Sequence, residues 1–324
     1  MMKCTMTQRI VNKIDGDSID WLDPRILDVI DSDIDKARKK RDSMMKEYQL
    51  KGYNDSSYYI KTLGILANES NFTFNTDLYD IRESFIKMLN ITHNDDNTTS
   101  NSNYIELEYL HLIYSSDVGR KGQRQEKKQL CSGILNSNTR RVFHQEYDRL
   151  IREVIAPHVI SVSNYSSNVL YIQSFPCIRI VRPGEFSIGP HADIAYGFSP
   201  ANINFYIPLT SLYDNNSIIL ESSPGLENWH SLDGLGYGDI KRFHGSMCTH
   251  FTLENMTNKT RVSLDFRVII DELWEANFSQ YSKDPGYYTK YIYSNNKWIR
   301  DTNNTGDDDF TTPDWRCGFP FSNK

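Results

Sequence analysis

The chain lacks paired cysteines: Cys4, Cys131, Cys177, Cys248 and Cys317 are scattered singly along 324 residues, with no CxxC among them. An odd, dispersed set of this kind excludes a disulfide framework and a thiolate zinc site, and it fits a reducing compartment. Long hydrophobic runs are missing as well. The opening MMKCTMTQRIV has no apolar stretch of the roughly 7–15 residues that a secretion signal needs. No segment approaches the roughly 20 apolar residues of a membrane span. A soluble, cytoplasmic protein without a membrane partner is expected. Basic charge is not in excess either: 36 Lys and Arg stand against 42 Asp and Glu, for a net charge of −6. Nothing therefore supplies the phosphate-neutralising surplus of a nucleic-acid binder, and nucleic acid is excluded as an expected partner. Histidine is scarce, with eight in all, so each one can be weighed individually.

What is present is ordinary globular material. A hydrophobic content of 39% over this length fills the core of one elaborated domain or two small ones. Asn-x-Ser/Thr triplets, as at Asn71, Asn90 and Asn255, are what a chain rich in these residues generates by chance.

Three helices are expected in the first half. Asp23-Pro24 is a good helix start, because Asp caps free backbone donors and Pro at the first helical position loses no hydrogen bond. Ile26, Leu27, Ile30, Ile34 and Ala37 then recur at helical spacing, and the helix should end near Gly52. The stretch KARKKRDS inside it reads as a solvated face, since neighbouring acids offset it. A second helix is suggested by Leu78, Ile81, Phe85 and Leu89, and a third by Phe143, Tyr147, Leu150, Ile151 and Val154, which should stop at Pro157. Residues 94–103 and 115–127 read as exposed loops.

From about residue 169 the pattern changes to short runs bounded by turn residues: VLYIQSF, CIRIV, INFYIPL, SIIL, DIKRF and RVSLDFRVII. These read as strands of an all-β core with a helical region before it, an α+β chain. Three segments are expected: a helical N-terminal region at 1–165, the core at 166–275, and a Tyr/Trp-rich extension at 276–324 with the acidic stretch NNTGDDD at 303–309.

His191-Ala192-Asp193 carries the first chemical signal. If extended, the imidazole and carboxylate leave the same strand face about 7 Å apart and can converge on one metal ion. Eight His and 28 Asp produce about 0.7 such pairs by chance, so the pair alone means little. A further histidine would complete a two-His, one-carboxylate facial triad, the arrangement that holds Fe(II) with open positions. His230, His244 and His250 compete for that place; His250 begins a strand-like THFTL and is preferred over the two turn-like candidates. In RVSLDFRV, Arg261, Ser263, Asp265 and Arg267 share one face. That face is either half exposed or lines a wet cavity, where Arg261 with Ser263 would suit a carboxylate.

Taken in order, PCIRIVRPGE, HADIAYG, INFYIPLT, ESSPG and TRVSLDFRV resemble the 2-oxoglutarate/Fe(II)-dependent oxygenase superfamily, and within it the streptomycin-biosynthesis-type branch. The segments cover about residues 175–269. The resemblance implies a double-stranded β-helix (jelly-roll, cupin-like) core, with His191, Asp193 and His250 as the iron ligands. It further implies that Arg261, assisted by Ser263, binds the distal carboxylate of 2-oxoglutarate, with Asn204 also near the co-substrate. Arg179 and Tyr206 are implied as substrate contacts, with pairing to Asp265 and core packing as their plain alternatives, and Glu221 reads as structural. The implied activity is hydroxylation of a small polar metabolite (a sugar, aminocyclitol or amino-acid derivative), with release of succinate and CO2. Two other readings stand beside it: a non-catalytic cupin-like binding module, and a zinc-dependent hydrolase using the same ligand types.

Overall fold

The computed structural model describes residues 24–50, 61, 63–89, 106–113, 137–163, 165–185, 187–274 and 287–301. The loops expected at 94–103 and 115–127, the acidic stretch at 303–309, and Asp23, Cys4, Cys131, Cys317 and Tyr281 lie outside the described residues.

Eleven strands are found among them: β1 (Ser70–Thr73), β2 (Val169–Gln173), β3 (Cys177–Val181), β4 (Ile203–Pro208), β5 (Ile218–Glu221), β6 (Trp229–Ser231), β7 (Asp239–Phe243), β8 (His250–Thr252), β9 (Arg261–Ile270), β10 (Tyr288–Ser294) and β11 (Lys297–Arg300). They form two antiparallel sheets. The larger has the order β1-β7-β4-β9-β2-β10-β11, with β3 also on β9, and the smaller has the order β6-β5-β8. The large sheet draws strands from all three sequence segments, because β1 precedes residue 166 and β10 and β11 follow residue 275.

The ten-residue β9 organises the large sheet. Along one edge it pairs with β4, and along the other with β3 and then β2. Residues directly opposite in an antiparallel pair share a face, so Asn204 sits with Arg267, Tyr206 with Asp265, and Arg179 with Ser263. This face is polar. On the other, Ile178, Ile203, Phe205, Ile207, Val262, Leu264, Phe266 and Val268 are all buried. They pack on the helix Ser137–Leu150, where Tyr147 meets Phe266 edge-on at 5.4 Å and Phe266 stacks on Phe205 at 5.4 Å. Each large apolar side chain buried this way contributes about 1.5–3 kcal/mol. A one-residue slip of β9 would drive Arg261 and Arg267 into that layer, so the register is firmly set.

The helices differ from expectation in two places. The helix Pro24–Leu50 begins as expected, but its basic stretch is not wholly solvated: Arg41 is buried and reaches the Met247 carbonyl at 3.4 Å and Glu221 at 3.5 Å. The third helix does not stop at Pro157. It passes through one π-helical turn, Ile151–Ile155, into a further helix, Ala156–Val162. The wide turn places Pro157 at a new helical start, where its missing N–H costs nothing. Short polar strands escaped the alternation pattern, and β6 contains His230, which the sequence presents as a turn. Among the described residues no helix is long and apolar enough to cross a membrane.

Candidate metal centre and anion pocket

The polar face of the large sheet looks toward the small sheet, and the candidate site lies between them. The free edge of β8 is taken up by residues 188–191. His191 and His250 exchange both backbone hydrogen bonds, at 3.1 and 2.9 Å, and Thr252 donates its N–H to the Ile188 carbonyl at 3.0 Å. This pairing sets the two imidazoles side by side, with ring centroids 4.2 Å apart. The extended geometry expected for His191-Ala192-Asp193 therefore holds at His191 and Ala192 but not at Asp193. Asp193 opens a short 3-10 turn, Asp193–Tyr196, that Gly197 closes at a φ of 87°.

Three ligand atoms converge. Asp193 Oδ1 lies 3.5 Å from His191 Nε2 and 3.8 Å from His250 Nε2. Among the described residues this is the one group of three His, Cys, Asp or Glu side chains whose donor atoms all fall within 4.8 Å of one another. The atoms facing away are committed elsewhere. His191 Nδ1 lies 2.8 Å from the Gly189 carbonyl and His250 Nδ1 lies 3.1 Å from the Cys248 carbonyl. A carbonyl can only accept, so each Nδ1 carries the proton and each Nε2 presents its lone pair. Burial pushes His250 down to about 4, helped by the neighbouring His191, so its ring is neutral near neutral pH. Asp193 is subject to opposite influences: burial would raise it, but the Arg267 guanidinium holds it well below the usual carboxylate range. Two imidazoles and one carboxylate are the donor set that suits a divalent first-row metal such as Fe(II). The structure brings His250 to the site rather than its competitors. His230 Nε2 pairs with Glu69 at 2.9 Å in β6, and His244 Nε2 donates to the Pro200 carbonyl at 2.7 Å.

Arg261, Ser263 and Arg267 of β9 are buried and Asp265 is partly buried, so the strand face is not half exposed. Arg179, Tyr206, Arg261, Asp265 and Arg267 line one cavity together with His191 and His250, and about 40 Å³ is free between them. The charges there pair unequally. Arg179 Nε donates to Asp265 Oδ1 at 3.0 Å, and Arg267 Nε donates to Asp193 Oδ2 at 2.8 Å. Among the described residues Arg261 has no carboxylate at ion-pair distance; it donates to the Asn216 and Ser217 carbonyls at 3.0 and 3.3 Å, and its Nε finds no partner among them. Among the described residues the hydroxyls of Tyr206 and Ser263 face each other and have no other hydrogen-bond partner. A buried cation without a counter-charge beside two hydroxyls that have only each other is costly to maintain and is what an anion site requires.

Asn204 lines the cavity and donates its amide N–H to Asp193 Oδ2 at 2.7 Å. Gly245 makes that approach possible: a Cβ there would lie 2.7 Å from the Asn204 side chain and the Phe243 ring, and its carbonyl accepts the Asp193 N–H at 2.9 Å. Glu221 is structural, as expected, since its two oxygens accept the N–H groups of Glu227 at 3.1 Å and Thr249 at 2.9 Å and so pin the residue before His250. The roles of Gly245 and Arg267 were not read from the sequence. Arg267 lay on the right face, but its partner becomes visible only through the β4–β9 register.

No protein-family model matches the chain. Over 111 residues it is 30% identical to the streptomycin biosynthesis protein StrG of Streptomyces griseus, covering 34% of this chain and 52% of that protein. The chain thus spans about half the length of this curated relative. Among solved structures, the chain is similar to the non-heme monooxygenase ThoJ in a nickel complex, with a TM-score of 0.37, 13% identity, and coverage of 67% of this chain and 77% of that one. It is also similar to a Pseudomonas putida prolyl-4-hydroxylase (TM-score 0.30, 13% identity, 65% and 94% covered). A third is an N-substituted L-amino acid dioxygenase of Burkholderia ambifaria AMMD in complex with alpha-KG (TM-score 0.30, 10% identity, 76% and 90% covered). All three likenesses are distant.

Proposed function

We propose that this chain is an Fe(II)- and 2-oxoglutarate-dependent oxygenase with a double-stranded β-helix core, acting on a small polar metabolite. The observation that carries the reading is a cluster of three metal-ligating residues, two of which, His191 and His250, share a cavity with a buried arginine that has no counter-charge among the described residues. His191, Asp193 and His250 would hold the metal. When bound, iron and 2-oxoglutarate together supply an oxidant for a substrate C–H bond as the co-substrate breaks down to succinate and CO2.

The protein's own contribution is binding and orientation. Arg261 fits the distal carboxylate, to which its guanidinium offers parallel donors, and the hydroxyls of Ser263 and Tyr206 add two more. The Gly189 and Cys248 carbonyls fix both imidazoles in the tautomer a metal needs. Arg179 is held by Asp265 at the cavity wall, which places a charged group where a polar substrate would meet it. A hydrolase would need a general base beside the metal, and the second cavity carboxylate, Asp265, is engaged by Arg179.

The test is turnover. Purified protein with Fe(II), 2-oxoglutarate and a panel of sugars, aminocyclitols and amino-acid derivatives is expected to release succinate in a substrate-dependent manner with at least one panel class. Substrate hydrolysis supported equally by zinc, without succinate, would replace this reading with the hydrolase.

A further inference from the structure

The carboxylate of Asp193 has two chemically equivalent oxygens, but the structure treats them differently. Oδ1 faces His191 and His250 and accepts no other donor in that direction. Oδ2 is saturated, taking the Asn204 amide at 2.7 Å and Arg267 Nε at 2.8 Å. The Asn204 amide can only be oriented with its nitrogen toward the carboxylate, since the reverse would oppose two acceptors. Arg267 is itself held in place: its second nitrogen donates to Gln173 Oε1 at 3.1 Å, Gln173 in turn donates to the Phe175 carbonyl at 2.8 Å, and the guanidinium lies over the Phe198 ring at 4.1 Å. Both donors come from opposed positions of β4 and β9, so the register of the large sheet aims them at a single oxygen atom.

We infer that Arg267 is a positioning residue which, with Asn204, restricts Asp193 to one-oxygen ligation through Oδ1 and so keeps three metal positions open. The inference rests on the metal-centre reading above. A carboxylate free at both oxygens can chelate a metal through both, and the second oxygen then occupies a position that co-substrate or water would use. Two consequences separate positioning from simple electrostatics. Removing a buried cation beside a divalent ion would by charge alone strengthen metal binding, whereas losing a partner that orients the ligand weakens it, typically by about 10–100-fold. The number of waters on the bound ion should also change.

The experiment is titration of the metal-free protein with Mn(II), followed by water-proton relaxation, which reports both affinity and the number of exchangeable waters on the ion. The wild type should bind one ion per chain with three open positions. Arg267→Met should bind more weakly, and its relaxation enhancement per bound ion should fall by about a third as the freed oxygen displaces one of three waters. Arg267→Lys, which keeps the charge and one donor, should recover part of both. Asn204→Ala removes the other donor to the same oxygen and should shift both readouts in the same direction; it decides the matter if Arg267→Met does not fold. If the wild type binds Mn(II) and both variants match it in affinity and in relaxation per ion, the positioning role is wrong while the metal centre stands. If the wild type itself binds no ion, the metal-centre reading fails and this inference fails with it.

Discussion

Arg261 and Arg267 leave the same face of β9, and each ends in a different chemical setting. Arg267 meets a carboxylate and stays with it, while Arg261 meets only two backbone carbonyls. This contrast makes a clean prediction for Arg261. An ammonium cannot reproduce two parallel donors, so Arg261→Lys should weaken 2-oxoglutarate binding by the cost of a broken, buried charge-assisted contact, about 2–5 kcal/mol or roughly 30- to 5,000-fold. Metal affinity should be unchanged, because Arg261 touches none of the three ligands. A co-substrate Michaelis constant within a few-fold of wild type would remove Arg261 from the anion site. At this scale the sequence showed which residues share a face but not what each one meets. His191, Asp193, His250 and Arg261 were named together through the family resemblance, since spacing and residue type alone left the His-x-Asp pair at chance level and the role of the β9 face open. The clamp on Asp193 was not, because it needs a 3-10 turn, a glycine that tolerates Asn204, and the register of two strands 60 residues apart in sequence.

Elements with strong alternation were recovered almost to the residue: β3, β7 and β9 coincide with the runs CIRIV, DIKRF and RVSLDFRVII. Short polar strands were missed because partners in space, not their own pattern, define them. β1 is such an element, held to β7 across four residue pairs. The seam between it and the helix Ala156–Val162 contains a titratable group. His158 stacks on Phe72 at 3.8 Å and accepts a hydrogen bond from Arg242 of β7 at 3.0 Å. Burial, followed by the Arg242 charge, lowers His158 from 6.5 to about 4. The folded protein therefore keeps this ring neutral while the unfolded chain takes up a proton below pH 6.5. Its contribution to stability is complete above pH 6.5, declines as the pH falls toward about 4, and does not change further below that. With the ring only half buried, solvent screening reduces the effect to about 1–2 kcal/mol. His158→Gln keeps an acceptor for Arg242 but cannot titrate, so urea unfolding at pH 7 and pH 4.5 should show a smaller acid loss than in the wild type. An equal loss in both proteins would place the acid sensitivity elsewhere.

In the whole molecule, two sheets of unlike character explain why a polar site can persist in the interior. The helices take the apolar face of the large sheet, which leaves its arginines and carboxylates to face the small sheet, and the two histidines come from the edge of the small sheet. A helical region before a β-rich core was legible from the change in periodicity near residue 169, but the extension of the large sheet by β10 and β11 was not, since the Tyr-rich segment alternates too weakly to announce a strand. Under the proposed function metal and co-substrate binding are expected to be interdependent, because His191, His250 and Arg261 line one cavity. Equilibrium dialysis of labelled 2-oxoglutarate under anaerobic conditions, with and without Fe(II), tests this most directly. The expected result is one co-substrate bound per chain when the metal is present, little without it, loss of binding in His250→Ala and retention in His244→Ala. Absence of metal-dependent binding in the wild type, or loss in His244→Ala with retention in His250→Ala, would contradict the account.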